Sequence, residues 1–414
     1  MRLATPLRLL IAASLAALLG ACASTGRPVS PPVSETPPVP AAPVSEIAPA
    51  KPPAIAPRPA LPLPPAPPRA SAPVYSKPLD GPAAVARLLP RAPDAKSWSA
   101  EIFSAFAALR LPATTENVCA AIAVIGQESN FQADPVVPGL SRIVWREIEK
   151  RRVKYDIPKL VLDAALLKSS PDGRSYKMRI NALKTETQMN ALFEDMIAEL
   201  PYGKTLLKDY NPIRTGGPMQ VSVEFVHARV REKPYPYPLK NGSLRDEVFT
   251  RRGGVYFGIA DLLDYPAPYT RPIYRFADYN AGRYSSRNAA FQAALAKLAG
   301  RALSLDGDLL RYRDGLPSSE TSLTQRALYP LAGRLHLSHA DILRDLRLEK
   351  SAAFAQTPLY QRLFALAEHA AGKPLPRETM PRIDLKSPKI HRHLTTEWFA
   401  RRVDMRYQTC LKRQ

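Results

Sequence analysis

Beyond residue 83 the apolar residues recur at helical spacing. Val118, Ala121, Ile122 and Ile125 fall three and four apart and form one stripe on a segment running from Glu116 to Asn130. Met189, Leu192, Phe193, Met196, Ile197 and Leu200 form another, and Thr185 with Gln188 makes a capping box at its start. A further apolar stretch runs from Leu160 to Leu167, and Ser338 with Asp341 opens a helix through Ile342, Leu343 and Leu346. Alternating β-branched runs are few. The pattern predicts a mainly α protein with at most minor β. Tyr235-Pro236-Tyr237-Pro238 marks a loop, and Asn241-Gly242 suits the turn of a small hairpin.

The front of the chain departs from that pattern. Residues 1–21 carry Arg2 and Arg8, then an apolar run from Leu9 to Leu19 that is too short to span a bilayer and reads as the core of a signal peptide. It ends in Leu19-Gly20-Ala21-Cys22, which resembles a bacterial lipobox, so Cys22 is expected to take a diacylglyceryl group after cleavage. The other reading is an ordinary secretory signal with a chance cysteine. The small residues ahead of Cys22 favour the lipoprotein, since more than one acyl chain anchors a protein stably. Ala23 in place of an aspartate favours the outer membrane, with the protein facing the periplasm. Residues 22–82 are proline-rich, as in Pro31-Pro32, Pro52-Pro53 and Pro64-Pro65, and cannot form a packed core. About fifty-five such residues at ~3.1 Å each reach roughly 150 Å, enough for a spacer that carries a domain away from a lipid surface.

The remainder is long enough for a large core and a second subdomain. The formal charge of +21 would ordinarily point to nucleic acid, but export excludes that partner and leaves wall peptides and anionic lipid as the acidic neighbours. Most of the lysines and arginines read as solvated helix faces; Arg251-Arg252, Arg401-Arg402 and Lys412-Arg413 are clusters. The six histidines, including His391 and His393, form no His-Glu-x-x-His motif, and the cysteines have no zinc spacing. No metal and no cofactor is expected. Neither a Gly-x-Ser-x-Gly elbow nor a phosphate-binding glycine loop is present in the sequence.

Candidate chemistry sits in three short segments. Glu128-Ser129-Asn130-Phe131 puts a carboxyl group at the end of the first apolar helix, three residues after Ile125 and four after Val124. A carboxyl group on the edge of an apolar stripe is partly desolvated, which raises its pKa and keeps it protonated, the state of a general acid. Thr215-Gly216-Gly217-Pro218-Met219-Gln220 is a tight loop in which glycine lets backbone approach a ligand and Gln220 can donate and accept. Phe276-Ala277-Asp278-Tyr279-Asn280-Ala281-Gly282 pairs a phenol with an amide. Each segment alone also fits a structural role: a helix-end glutamate, a turn, a core tyrosine.

In that order the three segments resemble the "ES-x-F, GLMQ, AYNAG" signature of the soluble lytic transglycosylases, which share the lysozyme-like fold and cut peptidoglycan. The resemblance implies Glu128 and Tyr279 as catalytic residues, the phenol orienting the acid. It implies Ser129, Gly217, Met219, Gln220 and Asn280 as residues that contact the glycan. Arg252 to Ile259 resembles the family's "N-I-x-x-G-x-x-Y-L" segment and reads as structural. The resemblance covers roughly residues 100–300. Pro218 stands where leucine is usual and Asp278 where a small apolar residue is usual, and about eighty residues separate Asn130 from the loop. The whole chain also resembles an uncharacterised family of bacterial lipoproteins. The organisation expected is a signal peptide (1–21), a tether (22–82), a lysozyme-like catalytic domain (83–300) with an insertion at about 132–214, and a helical accessory region (301–414).

With Cys22 assigned to lipid, Cys119 and Cys410 are left in an oxidising compartment. Cys119 precedes Glu128 by nine residues, ~900° of helix, and so faces away from the acid. The two either bridge the last helix to the acid-bearing one or stay as buried thiols, and the bridge is the expectation. The function expected is cleavage of the N-acetylmuramic acid–N-acetylglucosamine bond with closure of a 1,6-anhydro ring. The alternatives are a muramidase using Asp278 or Asp134 as second carboxylate, and a wall-binding lipoprotein without turnover. Glycan strands, and the membrane through the lipid, are the expected partners; protein partners stay open.

Overall fold

The computed structural model describes residues 77–199, 211–313, 316–385 and 393–413. The signal segment, Cys22, the tether up to residue 76 and His391 lie outside the described residues. Helices α1 (Pro82–Leu88), α2 (Ala95–Leu109) and α3 (Thr115–Glu128) come first. A second group follows: α4 (Leu140–Lys154), α5 (Lys159–Leu166), α6 (Tyr176–Asn181) and α7 (Glu186–Ala198). The short antiparallel pair β1 (Thr215–Gly216) and β2 (Val221–Ser222) leads into α8 (Val223–Glu232), α9 (Leu244–Val248), α10 (Arg251–Leu263), α11 (Pro272–Ala281) and α12 (Ser285–Ala299). The pair β3 (Tyr312–Arg313) and β4 (Leu316–Pro317) precedes α13 (Leu323–Leu328), α14 (Ala332–Leu335), α15 (His339–Leu346) and α16 (Pro358–Ala371), and the last helix is α17 (Thr396–Leu411).

The protein is mainly α, as the periodicity predicts, and the described strands are two residues long. The expected capping box at Thr185 is present, and Ser338 with Asp341 forms another at the start of the helix expected there. Asn241-Gly242 does not turn a hairpin. It lies in a single 3-10 turn, where Glu247 accepts the Lys240 N–H at 2.9 Å and Asp246 accepts the Asn241 amide at 3.3 Å. Acidic side chains take up the backbone there, and no strand partner is needed.

Three apolar clusters organise the described residues. The first surrounds α3, on which every residue from Val118 to Gly126 is buried. A helix apolar on all sides must be enclosed, and α2, α10, α11 and α17 contribute to the enclosure. The second cluster, from Leu140 to Ile197, holds α4 to α7 together and gives the expected insertion a core of its own. The third joins α12 through Phe291 and Leu295 to α13–α16. The accessory region expected over 301–414 is therefore bounded differently. Its core begins on α12, and α17 leaves it to pack against α3 and α11. The cause is the stripe Phe399, Ala400, Val403, Tyr407 and Cys410, buried in the first cluster.

Cys119 and Cys410 form a disulfide with their Cα atoms 5.5 Å apart, closing a separation of 291 residues. It fastens α17 to the side of α3 away from Glu128. Replacing Cys410 with Ser is expected to lower stability by ~2–5 kcal/mol. Chemical denaturation of oxidised wild type against the variant measures it, and peptide mapping without reductant reads the bond directly.

Candidate active site at the end of helix α3

Thr114 caps α3 by accepting the Asn117 N–H at 3.3 Å, and Glu128 is its last residue. The chain then turns sharply, with Asn130 at φ 49° and Phe131 at φ 61°, both left-handed. Phe131 is buried and meets the Trp98 ring edge-on at 5.5 Å. The turn leaves Glu128 partly buried on the rim of the core. Desolvation, and after it the charge of Glu186, pushes its carboxyl group up to about 8. Glu128 is thus protonated at neutral pH.

The loop from Gly217 to Gln220 joins β1 to β2 and lies on α10. Gly217 has φ +72°, and a Cβ on it would stand 2.1 Å from the Val248 carbonyl oxygen. Gly254 and Gly258, one turn apart on α10, form the notch that receives the loop. A Cβ on Gly254 would meet Pro218 Cδ at 2.4 Å, and one on Gly258 would meet Met219 Sδ at 2.4 Å. The glycine-rich start of α10 is structural, as its sequence reads. The leucine-to-proline departure at Pro218 is accommodated by Gly254.

Tyr279, on α11, donates its phenol to the Met219 carbonyl at 2.7 Å. Burial first, then the charges of Asp261 and Glu128, hold the phenol well above its ordinary value, so it keeps its proton. The resemblance has this phenol orienting the acid directly; here its hydrogen bond goes to the loop beside it. Gln220, at φ +52°, donates Nε2 to Glu186 Oε2 at 3.0 Å and accepts the Thr215 hydroxyl at 3.3 Å.

Other expected contact residues are turned to structural work. The Ser129 hydroxyl is buried and donates to the Ile125 carbonyl at 3.0 Å. The Met219 side chain is fully buried, and Gly217 is backbone seated against Val248. Asn280 accepts the Thr396 hydroxyl at 2.8 Å and so braces the start of α17. Of the two expected second carboxylates, Asp278 is enclosed and Asp134 is exposed. Asp278 is buried and accepts from Tyr265 (3.2 Å), Tyr269 (2.6 Å), Tyr284 N (2.8 Å) and Ser286 N (2.7 Å), tying α11 to the first turn of α12. Asp134 accepts the Thr187 hydroxyl at 2.7 Å.

Glu186 is the residue that sequence reasoning passed over. The capping box around it is legible, but nothing local says that the start of α7 sits beside Glu128. A cleft on the opposite face of α3, lined by Ile122, Gly126, Arg402, Arg406 and Arg413, does not include Glu128. Among the described residues no cluster of three or more His, Cys, Asp or Glu could hold a metal ion, and no helix is long and apolar enough to cross a membrane.

A family match spans residues 91–413, almost all of the described residues. The chain belongs to the DUF1615 family, whose description is "protein of unknown function". Within it, the chain is similar to the uncharacterized protein YaiW of Escherichia coli (strain K12), 48% identical over 337 residues that cover 81% of this chain and 91% of that one. No solved structure matches.

Two outcomes follow from the geometry. Below the ordinary value of 4.5, Glu128 is protonated both folded and unfolded; between there and about 8 only the unfolded chain ionises, so stability falls as pH rises. Glu128→Gln removes that loss. Its melting temperature is expected to match wild type near pH 4 and to exceed it increasingly towards pH 8, by thermal melts across that range. Asp278→Asn sets an NH2 against one of the backbone donors of Tyr284 and Ser286, which bond different oxygens, and is expected to cost ~2–3 kcal/mol by urea denaturation.

Proposed function

We propose that the chain is a membrane-tethered peptidoglycan lytic transglycosylase, with a lysozyme-like catalytic core, an insertion over α4–α7 and a helical C-terminal region. The observation that carries the reading is Glu128: a partly buried carboxyl group, pushed up to about 8, at the end of a helix buried from Val118 to Gly126. The loop beside it is fixed by the Tyr279 phenol. In this reading the lipid on Cys22 and the proline-rich tether hold the domain at the outer membrane, on the periplasmic side, and the substrate is a glycan strand.

The chemistry needs one carboxyl group used twice. Glu128 gives its proton to the glycosidic oxygen as the bond from C1 of N-acetylmuramic acid to N-acetylglucosamine breaks. The carboxylate then takes the proton of the muramyl 6-hydroxyl as O6 bonds to C1 and closes the 1,6-anhydro ring. That nucleophile is already held on the substrate, so proximity does much of the work. A muramidase must activate water with a second carboxylate; Asp278 is buried among its donors and cannot serve, so the released ends decide between the two enzyme readings. Pro218 seats on Gly254 and gives no reason to read the site as inert.

Incubation of the protein with purified sacculi, followed by mass analysis of soluble products, tests the reading. Muropeptides ending in 1,6-anhydromuramic acid, lighter than hydrolysed ends by one water, are expected. Glu128→Gln should release them at least ~100-fold more slowly, the low end for loss of a general acid. Reducing ends would move the assignment to a muramidase, and intact sacculi would sink both enzyme readings.

A further inference from the structure

Glu186 is the first residue of α7 and is 9% exposed. Two sets of contacts bring it to the end of α3. Behind it, Val136 pairs with Thr185, Val137 N–H donates to the Lys184 carbonyl at 2.8 Å, and Thr187 donates to Asp134 at 2.7 Å. These bonds stitch the start of α7 to the segment that leaves Glu128. In front of it, the Gln220 amide donates to Oε2 at 3.0 Å, from the loop whose Met219 carbonyl takes the Tyr279 phenol. A buried polar group further along holds the same two parts together. Asn211 donates to Asn190 at 2.9 Å and to Glu194 at 2.8 Å, and Arg245 donates to Asn190 at 3.2 Å and to the Ile213 carbonyl at 2.8 Å.

A nearly buried carboxylate is costly unless compensated. The N-terminus of α7 and the Gln220 amide both favour negative charge at this spot. Glu128 has neither advantage: it lies at the C-terminal end of its helix, where negative charge is disfavoured. With Glu128 as the acid, a second carboxyl group in the same site can add electrostatic support to glycosidic cleavage. The groups bearing on Glu128 are Glu186 from α7 and Tyr279 from α11. Asp261 on α10 acts on Tyr279 and is paired with Arg283 at 3.1 Å.

We propose that Glu186, supplied by the α4–α7 segment, is a second functional carboxylate that stabilises the positive charge building on the sugar ring as the Glu128 proton passes to the leaving oxygen. The role rests on the transglycosylase reading for its substrate, and it gives the insertion a part in the chemistry. By the same proximity Glu186 adds to the burial that keeps Glu128 protonated before the bond breaks. A glutamate present only to hold Gln220 would be replaced without loss by glutamine, which keeps the acceptor and the size and removes the charge.

The test compares full-length wild type, Glu186→Gln, Glu186→Asp and Glu128→Gln. Digestion of sacculi gives kcat, KM and the pH profile. Infrared spectroscopy reads the protonated-carboxyl band that disappears in Glu128→Gln, and so titrates Glu128 with no substrate present. Glu186→Gln is expected to melt like wild type, to lower kcat by ~10- to 100-fold with KM little changed, and to move the basic limb and the infrared midpoint to lower pH. Glu186→Asp, which keeps the charge, should restore part of kcat and the higher midpoint, and it carries the test if the glutamine variant does not fold. A Glu186→Gln protein with wild-type kcat and an unmoved midpoint overturns the role of Glu186 and leaves the transglycosylase reading standing. Sacculi left intact by wild type overturn that reading and the role on a sugar ring together, while a lowered midpoint would still mark the two carboxyl groups as a pair.

Discussion

The seating of one loop on one helix governs the geometry of the site. Gly254 and Gly258 leave a notch on α10 that any Cβ would close, and Pro218 and Met219 fill it. Because the loop lies that low, the Met219 carbonyl comes within reach of the Tyr279 phenol and Gln220 within reach of Glu186. Gly217 allows the turn itself, since a side chain there would strike the Val248 carbonyl. Loops carry functional groups well only when a rigid scaffold holds them. Here the scaffold is a helix face stripped of side chains.

The second constraint is the enclosure of α3. A helix with no polar face cannot stay near the surface, so the chain surrounds it, and the last helix returns from the far end of the sequence to complete the job. The Cys119–Cys410 bond and the Asn280–Thr396 hydrogen bond fasten that return at two points. Enclosure also sets the state of Glu128. The helix ends where the core ends, so Glu128 emerges with too little water around it to ionise at neutral pH. The same burial that stabilises the core thus keeps that carboxyl group protonated.

Charged groups in the interior divide by whether they are satisfied. Asp278 and Glu247 are buried with several donors each, and their work is to hold turns and helix starts in place. Glu128 stands on the rim instead, near the charge of Glu186, which is itself held by the Gln220 amide. Identity of residue type does not separate these cases; the number and direction of the donors around each carboxyl group does.

The helical class, the capping box at Thr185, the stripe of α3 and the acid at its end are legible in the sequence, because each depends on residues three or four apart on one element. The opposition of Cys119 and Glu128 on α3 follows from the same periodicity. The fates of Met219 and Asn280 do not, since each is decided by a distant partner: the notch at Gly258, and the Thr396 hydroxyl 116 residues away. The sequence likewise marks Thr185 as the start of a helix but cannot place the adjacent Glu186, which lies 58 residues beyond Glu128. Local patterns determine which face of an element is apolar. Which elements meet, and therefore which carboxyl groups share a site, was decided by the packing of whole cores and by loops such as Gly217–Gln220 that only fit where backbone can touch backbone.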